Sequence, residues 1–431
     1  MLLRPSKQVY RFTSLVRHGV NVELSTVLEK IESSKDDIVD TMCRMIRIPA
    51  LAPVNGGDGE GKRADMLIDC LEGYDEIIRE EVPDDTEPRV MRPNILARKK
   101  GKKKGTVWIV AHTDTVPAGD LKDWDTDPFD PVVKNGRIYG RGTEDNGQAV
   151  ISSMFASKFI PKETLNGRSI GIAYVADEET SSKMGVDYLI RKGYFSEDDV
   201  FIVPDWGSPD GGLIDVTEKN LIWLQFDIIG KSVHGSTPDA GINAFKVGTV
   251  FLNDLLDTFN KECSGTDVLF EPPVSTFEPT KSDQTVLNVN TIPGNYSFSM
   301  DIRPLPKYSP DDVLTIARRV ADEHEKASGA KINIKEIQRH VSGKTSKTEG
   351  SIFEALMDSI ESVTGKRPRP VGVGGATCAN FFRLEGYDAY VWEYGGGTLH
   401  GPNEYVEIEN IITDAKVFAT LFYKLCVESA E

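Results

Sequence analysis

The chain has 431 residues, 39% of them hydrophobic and 27% charged, with a formal net charge of −17. That length favours two domains, and the negative balance argues against nucleic acid or an anionic membrane as a partner. No apolar run approaches the ~20 residues needed to span a bilayer, and Cys43, Cys70, Cys263, Cys378 and Cys426 are scattered without a C-x-x-C pair, which fits free thiols in a reducing cytosol.

Residues 1–21 are basic and lack a sustained apolar core, so they do not read as a secretory signal. Their Arg- and Ser-rich, acid-poor composition has the look of a transit peptide, but an extension ahead of the first helix is the simpler reading. Residues 24–49 place Val27, Ile31, Ile38, Met42, Met45 and Ile46 at helical spacing, stopping at Pro49. A loop at 55–59 and a helical stretch near Arg63–Leu71 follow, then strands around Glu76–Val82 and Asn94–Ala97. The basic run from Arg98 to Gly105 lies between two strands with glycines at its turns. It reads as a solvated hairpin tip rather than a phosphate site.

A repeated pattern then sets in: a short apolar strand, a polar ending, a helix. Thr106–Ala111 ends in His112 and Asp114. Gly140–Gly147 precedes an apolar helix at Ala149–Phe159. Ser169–Val175 ends in Asp177, Glu178 and Glu179, and Val200–Pro204 ends in Asp205. Strands alternating with helices predict an α/β fold with a mostly parallel sheet and helices on both faces. Beyond Asp205 the order changes to β-α-β-β-α-β: Leu221–Ile229, a helix over 242–259, strands near Thr285–Asn290 and Tyr296–Ile302, a helix through Val313, Ile316, Val320 and His324, and Lys331–Ile337. That order is the ferredoxin-like unit. We place it at 217–341, inserted into a discontinuous domain of 1–216 and 342–431. The closing part carries a helix at 350–364, a Gly-rich turn at 372–375, a helix at Ala379–Leu384, a strand at Tyr387–Trp392, His400 and a last helix.

Ligands in open α/β sheets bind at the carboxyl ends of the strands. His112, Asp145, Glu178, Glu179, Asp205 and His400 all fall at such ends or in the loops beside them. His112 and Asp114 are two apart and share a side in extended chain. Alone, the pair reads equally as a buried histidine hydrogen-bonded to an aspartate. Together the six form an N/O set without thiolate, suited to Zn²⁺, Co²⁺ or Mn²⁺. One shared carboxylate lets such a set hold two ions ~3.5–4 Å apart. Neighbouring Glu178 and Glu179 point different ways, so one can bind metal while the other serves as a base. His18, His324 and His340 have no partner pattern and read as structural or solvent-facing.

Taken in order, Ala-His112-Thr-Asp114-Thr-Val-Pro, Gly140-Arg-Gly-Thr-Glu-Asp145, Asp177-Glu178-Glu179-Thr180, Asp205, His234-Gly-Ser-Thr-Pro238 and Leu-His400-Gly-Pro-Asn403-Glu404 resemble the M20 metallopeptidases, the relatives of succinyl-diaminopimelate desuccinylase, acetylornithine deacetylase, aminoacylase and carboxypeptidase G2. The resemblance covers nearly everything after residue 25 and is nearest to an archaeal-type branch. It implies two Zn²⁺ per subunit, with Co²⁺ or Mn²⁺ as substitutes. His112 and Asp205 hold one, Glu179 and His400 the other, and Asp145 bridges them across a cis Asp145–Asn146 peptide. It further implies Glu178 as the general base, Asp114 as the group orienting His112, and Glu404 as a support behind the ligands. His234 would stabilise the oxyanion, reaching into a partner's site. Asn290, Arg303, Gly375 and Thr377, the last two in the run Gly374-Gly375-Ala376-Thr377, would bind substrate. Cys378 departs from the many relatives that carry an aspartate there to meet a substrate ammonium group. Arg303 reads alternatively as a partner for Asp301.

The expectation is a cytoplasmic hydrolase that cleaves the amide of N-acyl amino acids or short peptides, desuccinylase- or deacetylase-like, and a homodimer through the inserted lid domain. Its partner is a small molecule, not nucleic acid or membrane. A dipeptidase or carboxypeptidase is the alternative, and a non-catalytic metal-binding relative is the alternative outside enzymes.

Overall fold

A computed structural model describes residues 5–11, 22–284, 286, 288–375 and 377–428. The chain divides into two compact units: Met1–Val216 with Thr345–Pro370 and Thr377–Glu431, and Thr217–Lys344 with Val371–Ala376. The short return of 371–376 to the smaller unit has no counterpart in the sequence reading, which kept 342–431 together. No composition shift marks it.

The larger unit is built on a nine-stranded sheet. Its strands lie side by side in the order Ser6–Arg11, Glu76–Pro83, Met91–Lys99, Ser169–Val175, Thr106–His112, Val200–Val203, Ala389–Val391, Leu213–Glu218 and Arg369–Val373. The four strands from Ser169–Val175 to Ala389–Val391 run parallel. The strands before them, and Leu213–Glu218 after them, pair antiparallel. The parallel strands are apolar throughout because both faces are covered: all seven residues of Thr106–His112 are buried. Residues of one parity, Trp108, Val110, Ala173, Val175, Phe201, Val203, Ala389 and Val391, pack with Val186 and Leu189 of one helix and Ala379 and Phe382 of another. There the Phe201 and Phe382 rings stack at 3.8 Å. The alternate parity meets the helix Gln148–Lys158, where the Tyr174 hydroxyl donates to the Val150 carbonyl at 2.8 Å.

The smaller unit has a four-stranded antiparallel sheet in the order Thr276–Gln284, Asn295–Arg303, Leu221–Ile229, Lys331–His340. With the helices Ala244–Glu262 and Pro310–Ser328 this is the β-α-β-β-α-β order. Ile222, Leu224, Phe226 and Ile228 alternate into the core beneath the helices. Each helix starts at a side-chain cap. Asn243 accepts from the Lys246 N–H, and Ser309 with Asp312 forms a capping box, contributing about 1 kcal/mol each.

Several expectations need correction. The 24–49 stretch is two helices, Leu24–Ser33 and Lys35–Ile46, broken at Ser34. The strand expected at 285–290 runs instead over Thr276–Gln284, with a two-residue bridge at Thr291–Ile292. Thr285 and Leu287 lie outside the described residues. The basic run is not a hairpin tip. Met91–Lys99 and Thr106–His112 are separated by Ser169–Val175, which pairs with both. Lys102, Lys103 and Lys104 are exposed on this crossover as expected. Lys99, however, is buried, donating to the carbonyls of Ser157 and Ile160 at 2.6 and 2.9 Å. Among the described residues no helix is long and apolar enough to cross a membrane.

Candidate metal centre

The carboxyl ends of the four parallel strands converge because the register fixes them: His112 pairs with Val175, and Ile109 with Ile202. The residues just beyond these ends therefore meet. His112 closes its own strand. Asp177–Glu179 follow Val175, Asp205 follows Val203 by two residues, and His400 lies in the loop after Val391. Asp145 enters from the turn ahead of the helix Gln148–Lys158, and its peptide bond to Asn146 is cis.

Two three-residue groups offer ligand atoms close enough to share an ion: His112, Asp145 and Asp205, and Asp145, Glu179 and His400. His112 Nε2 is 2.7 Å from Asp145 Oδ1 and 3.4 Å from Asp205 Oδ1. His400 Nε2 is 2.9 Å from Asp145 Oδ2 and 3.3 Å from Glu179 Oε2. Asp145 thus presents one oxygen to each group. Glu178 belongs to neither.

The protonation pattern fits a cation. The His112 Nδ1 lies 3.1 Å from the Asp114 carbonyl, an oxygen that can only accept. Nδ1 is therefore a donor, and Nε2 is the nitrogen that faces the carboxylates of Asp145 and Asp205. Burial opposes charge on His112, yet Asp114, Asp145 and Asp205 raise its pKa well above the usual imidazole value. Hydrogen bonds to Asp145 and Glu179 raise His400 to about 10. Burial raises Glu178 well above the carboxylate range, reinforced by the charge of Asp205. Glu179 is raised too, by burial against the pull of His400, and its buried Oε1 has no hydrogen-bond partner. A field that draws protons onto two imidazoles draws a divalent cation equally, and the donor set is the nitrogen–oxygen type that zinc takes.

The surroundings hold this cluster in place. Asp114 touches more than His112: its Oδ1 and Oδ2 accept the N–H groups of Glu178 and Glu179, each at 3.1 Å. Asp177 takes a left-handed φ of 65° and closes the turn by accepting from Thr180, Ser181 and Met184. Asn146 accepts from the His112 N–H at 3.3 Å and donates to Asp205 Oδ1 at 3.1 Å. Glu404, pushed up to about 7 by burial, accepts the N–H groups of Gly142, Glu144 and Asp145 and the guanidinium of Arg141.

Sequence reading missed one group altogether. Buried Arg92 binds Glu60 through Nε at 2.7 Å and Asp84 through Nη1 at 2.8 Å, with Asp177 at 3.6 Å and Asp114 at 3.8 Å. Nothing in the pattern around Arg92 signals it.

His234, Asn290, Arg303 and Gly375 belong to the smaller unit, Thr377 to the larger. His234 pairs with Thr291 across a short bridge. Its Nδ1 accepts from the Ser236 N–H at 3.2 Å, which leaves Nε2 as the donor, and the side chain is exposed. Asn290 is exposed beside it, its carbonyl accepting from Gly235 at 2.7 Å. Arg303 donates to both Asp301 oxygens at 2.9 and 3.0 Å and to the Gly374 carbonyl at 2.6 Å, the pairing weighed as its alternative. Gly375 has open space around its Cα. Thr377 is buried and starts the helix Ala379–Leu384 by accepting from Ala379 and Asn380. Ala376 and His18 lie outside the described residues. His324 pairs with Asp254 at 2.9 Å and His340 with Glu218 at 3.3 Å.

Comparison with known proteins agrees with this geometry. The profile of peptidase family M20/M25/M40 matches residues 108–424. An uncharacterized metallohydrolase of Methanococcus maripaludis is 35% identical over 90% of this chain and 99% of its own. A succinyl-diaminopimelate desuccinylase of a Ruegeria species is 29% identical over 74% of this chain and 80% of its own. Among solved structures, an aminopeptidase of Bacillus cereus has the same fold at a TM-score of 0.72 and 16% identity, covering 91% of this chain and 98% of its own.

Proposed function

The chain belongs to peptidase family M20/M25/M40, and on that premise we propose that this metallohydrolase cleaves the amide of N-acyl amino acids, with short peptides as the second substrate class. The observation that carries the reading is the pair of ligand groups sharing Asp145, with Glu178 left outside both. His112, Asp145 and Asp205 would hold one Zn²⁺, and Asp145, Glu179 and His400 the other, with Co²⁺ or Mn²⁺ as substitutes. Such ions supply Lewis-acid polarisation of a carbonyl and lower the pKa of water.

The residues divide the remaining work. A Glu178 carboxylate oxygen takes the proton of the attacking water and delivers it to the departing amine nitrogen, so that amide and water give carboxylate and amine. Asp114 keeps His112 in its Nδ1–H tautomer and, through the two N–H groups it accepts, keeps Glu178 and Glu179 turned apart. His234 Nε2–H donates to the carbonyl oxygen as charge develops there, in the site of a partner subunit within a homodimer formed through the smaller unit. Asn290 and Arg303 meet the substrate's free carboxylate, with Asp301 holding the Arg303 guanidinium, and Gly375 and Thr377 are substrate-binding residues of the Gly-rich loop.

The family resemblance places an aspartate for a substrate ammonium group where this chain has Cys378, buried among Val203, Ala379 and Val391, so the acyl group and side-chain preference of those relatives do not carry over to this chain. A relative that is a desuccinylase makes the succinyl group the first to try, in a cytoplasmic setting.

The test is primary-amine release from a panel of N-succinyl and N-acetyl amino acids and dipeptides, with Zn²⁺, with Co²⁺ and after chelation. Chelator-sensitive release from the acylated amino acids is expected. Release from dipeptides alone moves the protein to the dipeptidases. No release from any substrate, with metal bound, removes the catalytic reading.

A further inference from the structure

The loop that carries His400 begins with a run of three glycines. Gly395, Gly396 and Gly397 follow one another with φ of 101°, 104° and 138°, a region that favours glycine. A Cβ at Gly397 would meet nothing within 4 Å. Behind the loop is a cavity of about 290 Å³ whose lining includes Glu144, Gln148, Gly395, Gly396, Gly397 and Asn410. The run is packed at its start, where the Gly395 N–H donates to the Ser208 carbonyl at 3.0 Å and the backbone lies against Asn410, but at Gly397, nearest His400, it stands over open space.

What fixes it is a carboxylate from the neighbouring turn. Glu144, itself buried, accepts the Gly397 N–H at 2.5 Å through Oε1 and the Thr398 N–H at 2.8 Å through Oε2, and the Thr398 hydroxyl as well. On the far side of His400, Arg141 Nη2 donates to the carbonyls of His400 and Gly401, each at 3.2 Å. The loop is thus held before and after His400 by residues of the 140–145 turn, and the next residue of that turn is Asp145.

From this we infer that Glu144 is a positioning residue for the second metal: it sets His400 against Asp145 and Glu179, and so governs the affinity of that group of ligands while leaving His112, Asp145 and Asp205 intact. The inference rests on the assignment of those residues as ligands. Partners that orient metal ligands typically change affinity about 10–100-fold when removed. In Glu144→Gln one oxygen becomes an NH₂ group facing N–H donors, and loss of the second ion by that factor is the expected result.

Chelated full-length protein is titrated with Co²⁺, followed by calorimetry and visible absorption. The expected outcome is two ions in the wild type, but one tight and one weak ion in Glu144→Gln. Thr398→Val, which removes the hydroxyl that donates to Glu144 and accepts the Tyr405 N–H while keeping the backbone N–H bond to Glu144, should weaken the same ion in the same direction, and it serves alone if Glu144→Gln does not fold. Fewer than two ions in the wild type overturns the ligand assignment. Two ions in the wild type with unchanged affinities in the variants overturns the role of Glu144 alone. Equal weakening of both ions does so too, since it means that Glu144 supports the fold in general.

Discussion

Glu178 and Glu179 share a turn and a residue type but differ in their surroundings. Glu179 faces His400 at 3.3 Å; Glu178 lies outside both ligand groups. Their amides are pinned to the two oxygens of one carboxylate, Asp114, so the side chains cannot exchange places without breaking a hydrogen bond. Glu178→Gln should therefore leave metal stoichiometry and KM near wild type while kcat falls roughly 10²- to 10⁴-fold. A matching loss of metal would mean that Glu178 is a ligand, and retained kcat would end its role as base. At this scale much was legible from sequence: His112, Asp145, Glu179, Asp205 and His400 are polar residues at the ends of apolar runs, and they lie in the two ligand groups. Glu60 and Arg92 were not legible, because a buried ion pair looks like any surface pair until the fold encloses it.

Among elements, the turn after Ser169–Val175 shows how a strand end is made stiff. Asp177 carries three donors from its own turn, while Glu60 accepts the Asp177 N–H at 3.3 Å and is itself held by Arg92. One guanidinium thereby ties the strand Met91–Lys99, the helix Gly61–Cys70 beside Glu60, and the turn that presents Glu178 and Glu179. Arg92→Met would leave Glu60, Asp84, Asp114 and Asp177 without their cation, and we expect a cost of about 3–5 kcal/mol. Urea unfolding measures it. Arg92→Lys should recover little, since an ammonium cannot reproduce the two-pronged contact with Glu60. A change under about 0.5 kcal/mol, the size of an ordinary surface substitution, would mean the network is dispensable. The same scale explains where sequence reading failed. The glycines around the 98–105 run mark its ends correctly, but local turn chemistry cannot say that Ser169–Val175 will slip between the flanking strands. Strand order is decided by long-range pairing. The helix Ala379–Leu384 was legible to the residue because its pattern is local.

For the whole molecule, the question is what happens when this acidic chain, at −17, is deprived of cations at its centre. Without metal, protons do the neutralising. His400 rises from 6.5 to about 10 on hydrogen bonding to Asp145 and Glu179, and His112 is raised well above its usual value against its burial. A base whose folded pKa is raised contributes stability that is fully present below its unfolded pKa and is lost as pH rises through the folded one. Asp414 adds the same sign: burial raises it from 3.8 to about 8, so its protonated form favours the folded state between those values. Chelated protein should thus lose Tm as pH rises from about 6.5 to 8, above which buried Lys99, lowered to about 8 by burial, begins to act in the opposite sense. With metal bound as proposed, the imidazoles would be ligands and would carry no such proton, and metal affinity itself would climb as protons stop competing. Because a ligand bound only to the folded state stabilises it by mass action, the gap in Tm between loaded and chelated protein should widen from pH 6 to pH 9 at fixed free Zn²⁺. Differential scanning fluorimetry across that range measures the gap directly. A gap of constant size would mean that His112 and His400 do not trade protons for metal, and the two-ion assignment would have to be rebuilt on the carboxylates alone.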